Sequence, residues 1–401
     1  MRGLLAALAA SGILLTSPAS ALDTSARAAY MLDFDTGAVL LSKNADVEMP
    51  PASMSKLMTL NMLFEALADG RLSLEDRFRV SEKAWQMGGS KMFLREGERV
   101  RIVDLIQGII VQSGNDACVV VAEGLAGSEE AFAQRMTERA HELGMTESTF
   151  TNASGWPDPG QRMSAHDLVT LARRIITEFP QFYPYFSETQ FEWNGVNQRN
   201  RNPLLFLNIG ADGLKTGHTQ EAGYGLVGSA VRGSQRIVFM ITGLESVSKR
   251  EEEAERLTSW AFREFSNRAL FKKGETLADA QVWLGAQSRV PMVTGKDILA
   301  TLPFGAGENV KISVVYDGPI PAPIAEGQEI GRLVIEAPGL EPVTEPLFAG
   351  RAVAEGGYIT RMEVTAMNLV GRFIDMTGVK DMIGNDDAGP DTATPETEAA
   401  E

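Results

Sequence analysis

Strand-like runs stand on either side of a long helical stretch, and this order constrains the fold more than any other feature. Ala28–Phe34 and Ala38–Leu41 flank Asp35-Thr36-Gly37, the pattern of two short strands around a turn. Tyr224-Gly225-Leu226-Val227 and Arg236–Ile241 flank a second turn signal, Arg232-Gly233-Ser234. Between them, Met54–Leu67 sets Leu57, Met58, Leu63, Phe64 and Leu67 at the spacing of a largely buried helix behind Pro50-Pro51. Further helices are expected at Ile102–Ile110, Asn115–Leu125, Ser128–Leu143 and Ala165–Ile176, and an amphipathic one at Glu251–Phe265. A lone two-stranded hairpin is marginal in water. The N-terminal hairpin is therefore expected to pair with the later strands in an α+β fold.

The texture changes again after Phe271-Lys272-Lys273-Gly274. Short apolar runs at Val282-Trp283-Leu284, Val310–Tyr316 and Ile330–Ile335, separated by turn residues, predict a small all-β domain over 273–357 behind a first domain over 22–272. Residues 358–384 place Met362, Val370, Phe373, Ile374 and Met382 on an expected amphipathic helix interspersed with Arg361, Arg372 and Lys380, a candidate anchor at a membrane interface. Packing on the β domain or on a partner has equal weight. Residues 385–401 hold six acids, no base and two prolines, the composition of a disordered tail.

At the other end, Gly3–Leu15 is apolar behind Arg2, Thr16-Ser17-Pro18 breaks the run, and Ala19-Ser20-Ala21 offers a small-x-small cleavage site. This is the layout of a secretory signal peptide over 1–21, with the mature chain starting near Leu22. Thirteen apolar residues fall short of the roughly 20 that span a bilayer. A net charge of −16 argues against nucleic acid as partner. One cysteine, Cys118, permits no internal disulfide, so stability must come from a large core. His141, His166 and His218 lack metal-ligand spacing, and no metal or organic cofactor is expected.

Three short elements carry chemistry. Ser53-Met54-Ser55-Lys56 puts a hydroxyl and an amine three positions apart at a helix start, so both emerge on one face and can share a proton. Serine is a weak nucleophile until a base takes its proton, and lysine serves as that base only with a lowered pKa. Gln112-Ser113-Gly114-Asn115 offers a hydroxyl to pass a proton and an amide to bond Lys56 and a substrate, or simply a helix cap. Leu214-Lys215-Thr216-Gly217-His218-Thr219 offers a cation and a hydroxyl to a carboxylate. Its glycine could admit a substrate backbone, and its strand edge could pair with an extended peptide. The first two patterns recur, at Ser246-Val247-Ser248-Lys249 and at Ser42-Lys43-Asn44, so each alone is unspecific. The order of all three is what weighs.

With these elements the sequence resembles the penicillin-binding proteins and serine β-lactamases, whose signature is Ser-x-x-Lys, Ser-x-Asn and Lys-Thr-Gly. It is more similar to the low-molecular-mass D-alanyl-D-alanine carboxypeptidases, peptidase family S11. The wider stretches Pro-Ala-Ser53-Met-Ser-Lys56, Gln-Ser113-Gly-Asn115-Asp-Ala-Cys118 and Asp212–Thr219 carry that closer likeness. Met92-Phe93-Leu94, Thr151–Asp158 and Ala222-Gly223-Tyr224 extend it. The resemblance is strong over about 28–271 and continues through the β domain by layout.

The resemblance implies a penicillin-binding transpeptidase-like domain, an antiparallel sheet with helices, followed by the β domain. It implies Ser53 as nucleophile, Lys56 as general base, and Ser113 with Asn115 as relay and positioning pair. Lys215, Thr216, Gly217 and Arg250 would hold the substrate, and the backbone N–H groups of Ser53 and His218 would form the oxyanion hole. The substrate would be a peptidoglycan stem peptide ending in D-Ala-D-Ala, with β-lactams as covalent inhibitors, and the protein would act in the periplasm, with its C-terminal helix the candidate attachment to the inner membrane. Two alternatives stay open. A serine β-lactamase shares the three elements, although the Glu-x-x-x-Asn spacing of its class A enzymes is missing between Ser113 and Lys215. A non-catalytic wall-binding module would retain the cleft without needing Ser53 and Lys56.

Overall fold

The computed structural model describes residues 22–357. The signal peptide expected at 1–21, the amphipathic helix at 358–384 and the acidic tail at 385–401 lie outside the described residues. The chain forms two compact units. The first holds the residues up to Leu270 with Leu299–Lys311 and Ile335–Val343; the second holds Phe271–Ile298, Ile312–Val334 and the segment from Thr344.

In chain order the first unit carries β1 (Ala28–Asp33), β2 (Val39–Lys43), α1 (Lys56–Ala68), β3 (Arg77–Arg79), α2 (Glu82–Gln86) and β4 (Arg99–Arg101). The helices α3 (Ile102–Ile110), α4 (Asn115–Ala126), α5 (Glu129–Glu142) and α6 (Ala165–Glu178) follow, then the hairpin β5 (Gln190–Trp193) and β6 (Val196–Arg199). The strands β7 (Ala211–Thr219), β8 (Gly223–Arg232) and β9 (Gln235–Leu244) and the helix α7 (Val247–Glu264) come next.

The main sheet is antiparallel, in the order β2-β1-β9-β8-β7. The N-terminal hairpin is thus stitched to a strand two hundred residues later, from Ala28 opposite Thr242 to Asp33 opposite Ile237. The hairpin's own turn is fixed by buried Asp33, whose Oδ1 accepts from the N–H groups of Asp35 and Thr36 and from Thr36 Oγ1. β9 is apolar on both sides because both faces of the sheet are covered. Val238 and Met240 join the helical core with Leu57, Leu60 and Phe64 of α1 and Leu168 and Ile175 of α6. Phe239 and Ile241 face the opposite way and pack with Ala254, Leu257 and Ala261 of α7. Strand alternation therefore cannot be seen in its sequence.

Within the helical core, α3 and α4 are buried almost throughout, which matches their apolar text. Phe64 stacks on Phe182 with ring centroids 5.0 Å apart, tying α1 to the segment after α6. Each of α5, α6 and α7 starts on a serine cap: Ser128, Ser164 and Ser246 accept from the N–H three residues on. α7 begins at Val247, four residues before the expected Glu251, because Ser246 caps it there.

Two further strands of the first unit, β10 (Phe265–Phe271) and β13 (Ile298–Pro303), pair with each other, each but for one terminal residue within that unit. The second unit is built on short strands. A six-stranded sheet runs β14-β16-β17-β12-β11-β15 from β11 (Thr276–Trp283), β12 (Arg289–Thr294), β14 (Lys311–Val315), β15 (Ile320–Pro321), β16 (Glu329–Glu336) and β17 (Val343–Ala349). The fold is α+β with an all-β second part.

Candidate active site

The chain enters α1 through a 3-10 turn, Ala52–Ser55, with Ala52 in the left-handed region at φ 50°. This turn sets Ser53 one helical turn ahead of Lys56 on the same face. Lys56 is fully buried, and its Nζ meets Ser53 Oγ at 2.9 Å and Asn115 Oδ1 at 2.7 Å, with the Ser154 carbonyl as third partner. Asn115 is the first residue of α4, and its Nδ2 donates to the Gly88 carbonyl at 2.9 Å. One Nδ2 hydrogen remains for another acceptor.

β7 lies at the edge of the sheet and brings Lys215 into the same interior. Lys215 Nζ donates to Ser113 Oγ at 3.0 Å and to the Thr216 carbonyl at 3.1 Å. Ser113 precedes α4 in a left-handed conformation, φ 58°, which turns its hydroxyl to the strand. The relay expected between Ser113 and Lys56 therefore has a different resting geometry: Lys56 bonds Ser53, Asn115 and Ser154, and Ser113 takes Lys215.

Burial is the main cause that lowers Lys56 from its ordinary value to about 8, with the Arg201 cation adding to it and Asp116 opposing. Burial also holds Lys215 well below the usual lysine range, and the Lys56 and Arg201 cations push in the same direction. Among the described residues no carboxylate bonds either buried amine, which makes protonation costly.

Gly217 also packs closely within the protein itself. A side chain there would meet Met54 Cγ and the Pro51 carbonyl at 3.0 Å and Ala52 Cβ at 3.2 Å. The missing Cβ lets the turn that carries Ser53 lie against the strand. Gly155 serves the same turn from the other side. Its φ is 74°, and a Cβ there would lie 1.9 Å from the Ala52 carbonyl oxygen.

Thr216 is buried beside Lys215, while the His218 imidazole is exposed and stacks on Tyr224 at 3.9 Å between centroids. Arg250 lies in the first turn of α7 and is buried. Its Nη2 donates to the Arg201 carbonyl at 3.3 Å, while its Nε has no partner among the described residues. A buried guanidinium with an unused N–H is poised for an anion. The two chance repeats of the sequence patterns fall elsewhere: Ser246 is the cap of α7 with Lys249 paired to Glu252 on the surface, and Asn44 donates to the Arg27 carbonyl.

A family model described as D-alanyl-D-alanine carboxypeptidase, peptidase S11, matches residues 15–245. The chain belongs to this family. A model of the penicillin-binding protein 5 C-terminal domain matches residues 265–355. The D-alanyl-D-alanine carboxypeptidase DacC of Escherichia coli is 36% identical over 345 residues, 84% of this chain and 86% of that protein. Penicillin-binding protein 5 of Haemophilus influenzae superposes with a TM-score of 0.76 at 33% identity, covering 83% of this chain and 98% of that one. Penicillin-binding protein D2 of Listeria monocytogenes, solved in its ampicillin-bound form, covers 60% of this chain and 98% of its own at 31% identity and a TM-score of 0.55.

Within this S11 chain, several groups at the site escaped the sequence reading. Asp116 is buried, and its carboxylate accepts from the N–H groups of Met92, Leu94 and Ala117 at 2.9–3.1 Å, tying the Met92-Phe93-Leu94 stretch to α4. Both stretches resembled the family, yet nothing in their text linked them. The Ser154 carbonyl left no signal, since any residue supplies a backbone oxygen. Arg201 reaches Ser90 Oγ at 2.6 Å, and Asn202 pins β7 through a 2.9 Å bond to the Gly213 carbonyl.

Proposed function

We propose that this chain is a serine-type D-Ala-D-Ala carboxypeptidase that removes the terminal D-Ala from peptidoglycan pentapeptides through an acyl-enzyme on Ser53. One observation carries the reading: the three partners of Lys56. A neutral amine has two N–H groups and one lone pair. Asn115 Oδ1 and the Ser154 carbonyl are acceptors only, so they take both N–H groups, and the lone pair is left for the Ser53 hydroxyl. That is the arrangement a base needs to activate a serine.

The chemistry then runs on side chains and water. Ser53 Oγ attacks the penultimate D-Ala carbonyl as its proton passes to Lys56. The oxyanion is held by the N–H groups of Ser53 and His218; the stacking of the His218 ring on Tyr224 fits a backbone role for that residue. Lys56 returns the proton through Ser113 to the leaving nitrogen of D-Ala, and water, deprotonated by the same amine, releases the shortened peptide. The terminal carboxylate is received by Lys215, Thr216 and Arg250. Its negative charge favours the ammonium of Lys215, which burial by itself disfavours. Gly217 acts by letting Ser53 sit against the strand.

β-Lactams would acylate the same serine, a reading supported by the ampicillin-bound relative. The protein would be exported, would start near Leu22, and would rest on the periplasmic face of the inner membrane through 358–384; among the described residues no helix is long and apolar enough to cross a membrane. Cutting the chain after Gly357 should move activity from the membrane fraction to the soluble one; activity that stays with the membrane would refute the anchor. The function itself is tested by release of D-Ala from a pentapeptide analogue, which should occur and be blocked by penicillin.

A further inference from the structure

We propose that Trp156 is a positioning residue for the general base, holding in place both acceptors that aim the Lys56 lone pair at Ser53. The inference rests on the reading of Lys56 as base. Among the described residues Trp156 makes no hydrogen bond to Ser53 or Lys56, yet it meets the supports of Lys56 along two routes.

The first route runs through space. Side chains built at Gly88 and Gly89 would meet the indole at 3.1 Å (Cη2) and 2.9 Å (Cζ3), so the two glycines lie flat on the ring. Gly88 supplies the carbonyl that accepts from Asn115 Nδ2, and the Cβ position of Gly89 is 3.0 Å from that same nitrogen. Asn115 can therefore present Oδ1 to Lys56 only while the glycine pair stays down. The second route runs along the chain. Asn152 Oδ1 accepts from the N–H groups of Ser154 and Trp156, and its Nδ2 donates to the Trp156 carbonyl at 3.0 Å. This closed turn fixes the Ser154 carbonyl, the other acceptor of Lys56. Trp156 is where the two routes join.

The glycine pair lies between the site and water. Trp156 is 44% exposed, and it lines a cleft of about 740 Å³ with Glu82, Gln86, Met87 and Gly88. Gly88 and Gly89 are exposed while Asn115 and Lys56 are buried, so a pair that shifts once the indole is gone admits water to Asn115. A better-hydrated Lys56 holds its proton to higher pH, so loss of the ring should cost most at the pH values where the amine is only partly deprotonated.

The test is the rate of acylation by a penicillin between pH 6 and 10 in the full chain, for wild type, Trp156→Ala, Trp156→Phe and Gly88→Ala. The last approaches the same contact from the other side, since the added methyl presses on the ring. Trp156→Ala should slow acylation by about tenfold to a hundredfold near neutral pH. The deficit should narrow as pH rises, through an upward shift of the ascending limb. Phenylalanine should restore most of the rate, and Gly88→Ala should reproduce the deficit. A deficit equal at every pH, or an unchanged rate in all three folded variants, would overturn the proposal. Should Trp156→Ala fail to fold, the limb shift in Gly88→Ala and its absence in Trp156→Phe decide the matter. A wild type that is not acylated at all would instead refute the reading of the base.

Discussion

Lys215 Nζ donates to Ser113 Oγ at 3.0 Å, joining the edge strand to a loop residue 102 positions earlier. The direction of this bond matters. Because the hydroxyl accepts from Lys215, its own O–H is free to point toward the leaving group or toward Lys56 when a substrate arrives. The two lysines thus divide the site, one bonded to Ser53 and the other to Ser113.

Acylation should rise with pH and level off above about 8, the value to which burial lowers Lys56. The sign follows from the role: below that pH the amine carries a proton and cannot accept one from Ser53. Rates of penicillin acylation across pH check this. Lys56→Arg, charged at every accessible pH, should acylate too slowly to show an ascending limb.

Ser53→Ala should fold and still bind ligand reversibly, but form no covalent adduct. Intact mass after exposure to a penicillin is the measurement. An adduct on the alanine variant would show that the nucleophile lies elsewhere.

Gly217→Ala should slow acylation with little loss of stability, because the new methyl presses on Met54 and the Pro51 carbonyl at about 3.0 Å and displaces the Ser53 turn. A shift approaching 1 Å at a nucleophile costs about a hundredfold in rate. Thermal melting should move little while the acylation rate falls. A large melting change with normal acylation of the folded fraction would contradict this assignment.

Asp116→Ala leaves the N–H groups of Met92 and Leu94 without their acceptor, and both residues are buried. Loss of such bonds costs about 1–3 kcal/mol each when no water replaces the partner. A fall of the melting temperature is expected, with acylation of the folded fraction less affected than in Gly217→Ala.

The hairpin, the helix positions and the later strands were legible because each rests on local pattern. Ile102–Ile110 matches its expected span, since α3 is apolar but for Asp104 and Gln107 and starts behind Arg101. The small hairpin Gln190–Arg199 escaped the reading although its residues mark it: Gln190-Phe191-Glu192-Trp193 alternates polar and apolar, and Asn194-Gly195, both at positive φ, is a two-residue hairpin turn. At the site, residue types were readable and contacts were not. Ser53, Lys56, Asn115, Ser113 and Lys215 come together as their order implied. The packing of Gly217 on the Ser53 turn was not legible, because a missing side chain does not tell which neighbour fills the space. Ser154 acts through its backbone, and Asp116 through bonds to distant N–H groups, and neither feature is written in a side-chain pattern.

The most direct measurement is release of free D-Ala from a peptide ending in D-Ala-D-Ala, followed with and without one equivalent of penicillin. One D-Ala per peptide is expected from the untreated protein, and none once penicillin is bound to Ser53. No release from the untreated protein, or release that continues after Ser53 is acylated, would contradict a serine carboxypeptidase built on Ser53 and Lys56.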